Sequence, residues 1–318
     1  MAVISPSEAV LWVDPRYTLQ ARSDARGVEV IEERGPILKA VARWLRKRNA
    51  RRVAFEDSFT TVGQLRVLQR EAREKVRFEP AREIIESLRC SKDPEEIGAI
   101  REASRVTVAA FKTVLPQVRP GIRESDLAAE IDYQMRLQGA EGPAFETIVA
   151  SGARGALPHA RPTGKLLEKS DLVIFDLGAI LNGYASDMTR TVYLGKPPGR
   201  IRRLYNAVLE AQQTAVELLH EGQRCSEVDA TARRVLERRG LGQYFTHSTG
   251  HGVGIDIHEK PRLVRTDETR LPVDCVVTVE PGVYLEGLGG IRLEDTVLVS
   301  AQGPEILTSA PMNDWCIS

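Results

Sequence analysis

The spacing of apolar residues in the first part of the chain alternates between strand and helix periodicity. Three short runs rich in apolar and β-branched residues are typical of β-strands: residues 9–14, 28–31 and 52–56. Between the second and third runs, residues 36–48 have apolar side chains at helical spacing, with Lys and Arg on the other face. We interpret that basic face as a solvated surface. The order of these segments predicts a small α/β unit that ends near residue 88.

The pattern changes after Ser91 and predicts a second domain. Asp93-Pro94-Glu95-Glu96 combines a capping acid, a proline at the first helical position and a glutamate that completes a capping box. A long amphipathic helix is therefore expected to follow, and we place the domain boundary between residues 88 and 89. Further amphipathic helices are predicted at helical spacing over residues 125–137, 201–219 and 226–239.

Two stretches of the second domain predict β-hairpins that carry acidic residues. In the first, an apolar run ends at Asp176, and Asn182-Gly183 then favours a type I′ turn. With the turn centred there, Gly178 lies opposite Asp187 and leaves room beside it, and Asp176 is a diagonal neighbour of Asp187 on one face. Two acids beside buried residues repel each other unless a cation is present. The alternative, that both face solvent, is disfavoured by the apolar run.

The second hairpin follows the same plan. Residues 276–279 lead into Glu280, and the chain returns through residues 291–295 after a glycine-rich turn. With the turn centred near Gly287, Glu280 and Glu294 lie opposite each other. The proline after Glu280 can bulge the strand, so a shifted register is the alternative.

Three of the five histidines lie within residues 247–258. Glycines flank His251 on both sides, and they indicate a crowded site because glycine lets backbone pass close to other groups. Neutral imidazole is a common metal ligand and the usual acid or base near neutral pH. The alternative is a glycine-rich loop whose histidines make local hydrogen bonds. His159 lies between two prolines in an extended loop, where a surface histidine without chemistry is an equal interpretation.

The acids and the glycine-flanked histidine are too numerous for a single zinc site. Structural zinc takes four ligands, many of them thiolates, whereas carboxylate-rich sets suit manganese, magnesium or a two-metal centre. Two such cations lower the pKa of a shared water and generate hydroxide near neutral pH, which predicts hydrolysis of a polarised carbonyl. The residues concerned are Asp176, Asp187, Glu280, Glu294 and His251.

Composition and charge argue against several other classes of protein. Lys plus Arg and Asp plus Glu both total 44, so bulk charge provides no attraction to nucleic acid or an anionic membrane. The 4 cysteines are far apart, as expected for free thiols of a reducing compartment. No apolar run reaches the length of a membrane span, and the first residues lack a signal-peptide pattern. We therefore expect a cytoplasmic protein without nucleic-acid or membrane partners.

Together these motifs resemble one family, the pita-bread metallopeptidases, which include methionine aminopeptidase, aminopeptidase P and prolidase. The resemblance implies an α+β fold in which a pita-bread catalytic domain (residues 89–318) follows a small, creatinase-N-like α/β domain (residues 1–88). That first domain is shorter than in the Xaa-Pro peptidases, so either it is small or the natural start lies upstream of Met1. The matching segments are residues 148–152, 157–159, 176–179, 186–191, 247–259, 279–282 and 292–295.

The resemblance also implies a two-metal centre. Asp187 and Glu294 would bridge two divalent ions, with Mn²⁺ as the expected metal and Co²⁺ or Zn²⁺ as alternatives. Glu280 would accept a proton from the bridging water. The implied ligands are Asp176, Asp187, His251, Glu280 and Glu294.

Further residues would contact substrate by the same resemblance. His159 and His258 would hold the scissile carbonyl and stabilise its developing charge, or shuttle a proton. His247 would line the pocket for the residue after the scissile bond. Arg292 would support the metal ligands and line the substrate site.

The predicted function is metal-dependent hydrolysis of the bond between an N-terminal residue and proline by a metal-bridging hydroxide, the activity of an Xaa-Pro aminopeptidase. The nearest alternative is an Xaa-Pro dipeptidase (prolidase), which acts on dipeptides only. The rival from another class is a non-catalytic binding protein on the same fold, and the complete ligand set argues against it. The expected partners are peptides with proline in second position and a second copy of the chain in a homodimer.

Overall fold

The structure is a computed structural model, and it describes residues 1–73, 76–313 and 315–317. The chain divides into two compact units, Met1–Ile84 and Ile85–Ser318. The predicted boundary between residues 88 and 89 lies just after this division and stays a prediction. Within the described residues, no helix has both the length and the apolar character needed to cross a membrane.

The first unit has the α/β organisation that its apolar pattern predicts. Its elements are β1 (Ala2–Ile4), β2 (Ala9–Val13), α1 (Thr18–Asp24), β3 (Glu29–Glu32), α2 (Ile37–Lys47), β4 (Arg52–Phe55), α3 (Val62–Ala72) and β5 (Arg77–Pro80). One small sheet has the strand order β1-β2-β3, and β4 and β5 form a separate parallel pair. The core of this unit packs Val10 and Trp12 of β2 against Val41 of α2 and Leu68 of α3.

The helices of the second unit agree with the predicted ones to within two residues at most ends. The long helix begins with the predicted capping box, because the Asp93 carboxylate accepts from the Glu96 N–H at 2.9 Å and the Glu96 carboxylate accepts from the Asp93 N–H at 2.8 Å. A helix that was not predicted, α4 (Ile84–Cys90), begins at the last residue of the first unit. The predicted helices are α5 (Pro94–Val114), α6 (Glu124–Leu137), α7 (Gly199–Glu217) and α8 (Cys225–Arg238).

Two sheets form the centre of the second unit. The strands of this unit are β6 (Gly142–Pro143), β7 (Ile148–Ser151), β8 (Leu172–Leu177), β9 (Ala179–Leu181), β10 (Tyr184–Ala185), β11 (Met188–Leu194), β12 (Gly250–Gly252), β13 (Glu259–Leu263), β14 (Cys275–Val279), β15 (Gly282–Leu285), β16 (Gly289–Arg292), β17 (Asp295–Ser300), β18 (Gly303–Ile306) and β19 (Cys316–Ile317). One central sheet, of order β19-β11-β8-β7, packs against α5 and α6, and the other, of order β13-β12-β14-β17-β18, packs against α7 and α8.

The first predicted hairpin is confirmed. Asn182 and Gly183 both have positive φ, 51° and 75°, as a type I′ turn requires. Asp176 of β8 pairs with Thr189 of β11, and β9 pairs with β10 in the same register. This register puts Asp187 on the same face as Asp176, two residues before Thr189.

The second predicted hairpin is confirmed as well. Gly282 pairs with Arg292 between β15 and β16, and Val279 pairs with Asp295 between β14 and β17. The pairing register is the same in both ladders, before and after Pro281. The alternative prediction, that a bulge at Pro281 shifts the register, is therefore wrong. The residues between the ladders, Glu280 and Glu294, therefore lie opposite each other.

Candidate active site

Both hairpins and β12 contribute residues to one cavity of about 690 Å³. Asp187, His251 and Glu294 are buried, and each offers a ligand atom within 4.8 Å of the others. The Nε2 atom of His251 is 3.4 Å from a Glu280 carboxylate oxygen. All five residues predicted to hold metal line this cavity, and so do the three histidines predicted to face substrate.

Two glycines let the backbone come close enough to build this cavity. A Cβ at Gly178 would lie 2.0 Å from the Ser186 carbonyl oxygen and 2.9 Å from the Phe145 ring. The space at Gly178 itself is therefore filled by protein, and the room expected beside the acids is the cavity that Asp176 and Asp187 both line. A Cβ at Gly250 would lie 1.9 Å from the Thr278 carbonyl oxygen, so glycine allows the close approach of β12 to β14 next to His251.

Burial and mutual repulsion disfavour the ionised forms of Asp187, Glu280 and Glu294 in the absence of a cation. Burial first, and then the charges of Glu294, Asp176 and Glu280, raises the pKa of Asp187 well above its ordinary value. Burial and the charges of Glu280 and Asp176 do the same to the pKa of Glu294. Burial raises the pKa of Glu280 to about 7. Such a cluster is stabilised by a bound cation, whose charge reverses these shifts.

His251 is oriented to offer a lone pair to this cluster. Its Nδ1 atom lies 3.1 Å from the Gly252 carbonyl oxygen, which can only accept, so Nδ1 carries the proton. Burial lowers the pKa of His251 to about 3, and the ring is therefore neutral at pH 7. Its Nε2 atom then faces Asp187 and Glu280 unprotonated, which is the form of imidazole that binds metals.

The buried oxygen atoms fit a metal centre. Oδ1 of Asp176 and Oδ1 of Asp187 are buried and have no hydrogen-bond partner among the described residues. A buried carboxylate oxygen without a partner is costly, and a cation is the partner that this donor set suits. The acids, the neutral imidazole and the two unpartnered oxygens could therefore hold divalent ions.

Arg292 and Tyr284 connect the acids with one of the histidines. The buried Arg292 guanidinium donates to the Asp176 carboxylate and, at 2.7 Å, to the Tyr284 hydroxyl. Tyr284 also lies 2.9 Å from Nε2 of His247. The sequence analysis predicts that Arg292 supports the metal ligands, and its guanidinium does contact Asp176, one of the proposed ligands. The predicted contact between Arg292 and substrate stays a prediction. Tyr284 was missed, although it lies on the same strand face as Glu280 by the two-residue period.

His159, His247 and His258 line the same cavity as the acidic cluster. The His258 ring packs edge-on against the His251 ring with centroids 4.2 Å apart, and its other side is exposed to solvent. Burial, followed by the charge of Arg262, lowers the pKa of His258 below its ordinary value. Burial, followed by the charge of Arg292, lowers the pKa of His247 to about 4. His159 is exposed and lines the same cavity.

Metal binding to the stripped protein is expected to release protons, so apparent affinity should rise with pH. A protonated carboxyl cannot bind a cation, and the Glu280 carboxyl with a pKa of about 7 changes from mostly protonated to mostly ionised between pH 6 and pH 8. The apparent Kd for Mn²⁺ should fall by at least about tenfold over this range. Calorimetric titration in two buffers with different ionisation heats measures both quantities. An affinity independent of pH, with no proton released, would contradict the expectation, and Glu280→Gln should lower the number of protons released.

Comparisons with known proteins show the family of the chain. The model of metallopeptidase family M24 matches residues 98–301, and that of the creatinase/prolidase N-terminal domain matches residues 1–91. The chain is 46% identical to the Xaa-Pro dipeptidase of Pyrococcus furiosus over 73% of its own length and 66% of that protein's length.

Solved structures give the same result over the whole chain. A structure described as the Xaa-Pro dipeptidase from Bacillus anthracis is 37% identical with a TM-score of 0.95, covering 99% of this chain and 88% of that one. The X-Pro aminopeptidase from Thermotoga maritima is 35% identical with a TM-score of 0.91, covering 99% of this chain and 90% of that one. The predicted α+β pita-bread fold is confirmed, and the chain belongs to metallopeptidase family M24.

Proposed function

We propose that this protein is a metal-dependent Xaa-Pro dipeptidase. The observation that carries the proposal is the buried cluster of acids around a neutral His251, which opens into a cavity lined by three further histidines. The relatives named Xaa-Pro dipeptidase favour this activity over the aminopeptidase activity that we placed first from the sequence. The aminopeptidase from Thermotoga maritima is a similarly close structural relative, so the length of the substrate needs its own test.

The proposed ligands belong to the two hairpins and β12. Divalent ions held there would polarise the scissile carbonyl and lower the pKa of a water molecule, which supplies the nucleophile for hydrolysis. Mn²⁺ is the proposed native metal, and a homodimer in the cytoplasm stays a prediction, as does its lack of nucleic-acid and membrane partners. The residues that would hold the ions are Asp176, Asp187, His251, Glu280 and Glu294.

Proton transfer, binding of the scissile carbonyl and binding of the proline ring are assigned to side chains of this protein. Glu280 is the proposed proton acceptor, because its carboxylate lies 3.4 Å from Nε2 of His251, at the site that would hold the ions and the water they activate. His159 and His258 hold the scissile carbonyl oxygen and stabilise the negative charge that develops there. His247, held by its hydrogen bond to Tyr284, lines the pocket for the proline ring.

Arg262 supports the choice of dipeptides. It lines the cavity near His258. A dipeptide bound with its proline in this cavity would present a free carboxylate directly after the proline. Among residues 1–73, 76–313 and 315–317, no hydrogen bond or ion pair occupies the Arg262 guanidinium. Arg161 also lines the cavity, but its guanidinium pairs with Glu146 at 3.0 Å. Arg262 is therefore the proposed partner of the substrate carboxylate.

Arg262→Met is expected to raise KM for an Xaa-Pro dipeptide by about 10- to 100-fold, the usual effect of losing one charged hydrogen bond. The same change should affect an Xaa-Pro-Yaa tripeptide little, because its proline carboxyl is in an amide bond. Steady-state kinetics of the Mn²⁺-loaded protein with both substrates measure the difference, and Arg161→Met is the matched control. Wild-type protein that hydrolyses the tripeptide faster than the dipeptide would instead establish the aminopeptidase.

A further inference from the structure

Three buried carboxylates outside the metal cluster lie beside the segments that carry the three cavity histidines. We propose that each of them is a positioning residue that holds one histidine at the reacting bond, an inference that rests on the proposed function of those histidines. We use the word clamp for one such carboxylate together with the Arg and Lys side chains that pair with it. The first clamp is Glu124 with Arg154, the second is Asp229 with Arg233, and the third is Glu259 with Arg89 and Lys92.

The first clamp closes both ends of the His159 loop. Glu124 lies in the first turn of α6 and is 0% exposed. One of its oxygens accepts from the N–H and the hydroxyl of Ser151, both at 2.8 Å, before the loop. Its other oxygen accepts from the N–H and hydroxyl of Thr163, at 3.1 and 2.9 Å, after the loop, and from Arg154 at 3.1 Å. A single side chain thus joins the two ends of the segment that has His159 near its middle.

The second clamp acts on the residues around His247. Asp229 on α8 is 0% exposed, and its Oδ1 atom accepts from the N–H and hydroxyl of Thr249 at 3.1 and 2.8 Å. Arg233, one turn along the helix, donates to both Asp229 oxygens at 2.6 and 3.0 Å. The same guanidinium donates to the carbonyl oxygen of His247 and stacks over the Phe245 ring at 4.2 Å. The backbone on both sides of the His247 ring is therefore anchored to α8.

The third clamp holds the loop that ends at His258. Glu259 follows directly, and its side chain is only 4% exposed. It accepts from Arg89, from Lys92 at 3.3 Å and from the N–H of Asp256 at 3.0 Å. Arg89 also pairs with the Asp256 carboxylate at 2.8 Å. The loop before His258 is thus folded around the Glu259 carboxylate.

The places of the histidines in the fold explain why they need clamps. His159, His247 and His258 all lie in turns or bends, although His258 directly precedes β13, whereas Asp176 and His251 lie on strands and the other proposed ligands directly beside them. Ladder hydrogen bonds hold the strands that carry the ligands, whereas in the described part of the chain none of the three histidines is itself a strand residue. Replacing a whole buried ion pair by well-packed apolar residues is often neutral for stability, so the presence of such a pair beside each histidine supports a geometric role.

Double-mutant cycles on the full chain loaded with Mn²⁺ test the proposal. Glu124→Gln, Asp229→Asn and Glu259→Gln should each lower kcat/KM for Xaa-Pro by about 10- to 100-fold, as expected for a misplacement of about 1 Å. Each loss should vanish when the variant's own histidine is already Ala, and should persist when either of the other two is Ala. Asp132→Asn, a half-buried acid of α6 that bonds Thr147, is the matched control and should leave kcat/KM unchanged.

Hydrogen exchange of the metal-free variants provides a measurement that does not depend on activity. Glu124→Gln should speed amide exchange within residues 152–163, Asp229→Asn within 245–250 and Glu259→Gln within 254–258, each with the other two segments unchanged. Losses of the same size in every histidine background, or exchange that rises equally in all three segments, would overturn the proposal. A wild-type protein that does not cleave Xaa-Pro would overturn the proposed function alone, and local exchange would still decide whether the clamps hold their segments.

Discussion

Asp187→Asn is expected to abolish metal-dependent hydrolysis while it stabilises the metal-free protein. The Asp187 carboxyl is buried beside other acids, and burial with the charges of Glu294, Asp176 and Glu280 raises its pKa. A site that loses its ion loses several kcal/mol of transition-state stabilisation, so kcat/KM should fall by about 10³-fold or more. Asn keeps the shape of Asp187 and removes the charge.

The sign of the stability change follows from the raised pKa of Asp187. A carboxyl whose folded pKa exceeds its unfolded pKa destabilises the native state once pH rises above the unfolded value. The Asn variant should therefore unfold at a higher temperature than metal-free wild type at pH 8, and the difference should shrink as pH falls towards 4. Thermal unfolding after chelation measures this, together with the metal content of both proteins.

Asp295→Asn is the matched control for Asp187→Asn. Burial raises the pKa of both carboxyls, but the charge of Arg190 opposes that shift at Asp295, whereas the neighbouring acids add to it at Asp187. Asp295 lies 2.7 Å from the buried Arg190 guanidinium and also accepts from Gln212 and Thr308. Its loss leaves a buried cation without its counterion, which should destabilise the protein by about 3–5 kcal/mol. If Asp187→Asn lowered the unfolding temperature of the metal-free protein as Asp295→Asn should, the cluster would not be a site of mutual repulsion.

Local chemistry explains why the positions of the acids could be predicted. Asn182-Gly183 can adopt positive φ at both turn positions, and this fixes the register of the first hairpin. The two-residue period of a strand then decides which face each acid occupies. The second hairpin follows from its glycine-rich turn in the same way, and Glu280 and Glu294 lie opposite each other without further information.

Contacts between distant parts of the chain could not be predicted in this way. Arg89 and Glu259 meet across 170 residues, and Glu124 contacts Thr163 on a loop that has no periodic pattern. In the sequence these residues are ordinary charged positions on helices or next to a motif, and only tertiary packing makes them partners. The choice between aminopeptidase and dipeptidase could not be predicted for the same reason. The length of substrate that a peptidase accepts depends on the residues at the mouth of its cavity, whereas the recognised motifs contain the proposed metal ligands.

His258→Ala is expected to lower kcat about 10²- to 10³-fold, the usual effect of removing one group that stabilises a developing oxyanion. Unlike Asp187→Asn, it should leave metal content unchanged and the unfolding temperature nearly so, because one side of the ring is exposed and the ring binds no ion in the proposed arrangement. His220→Ala is the control, since that ring is exposed and its Nδ1 atom lies 2.8 Å from the adjacent Glu221 carbonyl oxygen. Loss of metal from the His258 variant would make this histidine a ligand. A loss confined to KM would make it a binding residue, so kcat, KM and metal content measured together separate the three roles.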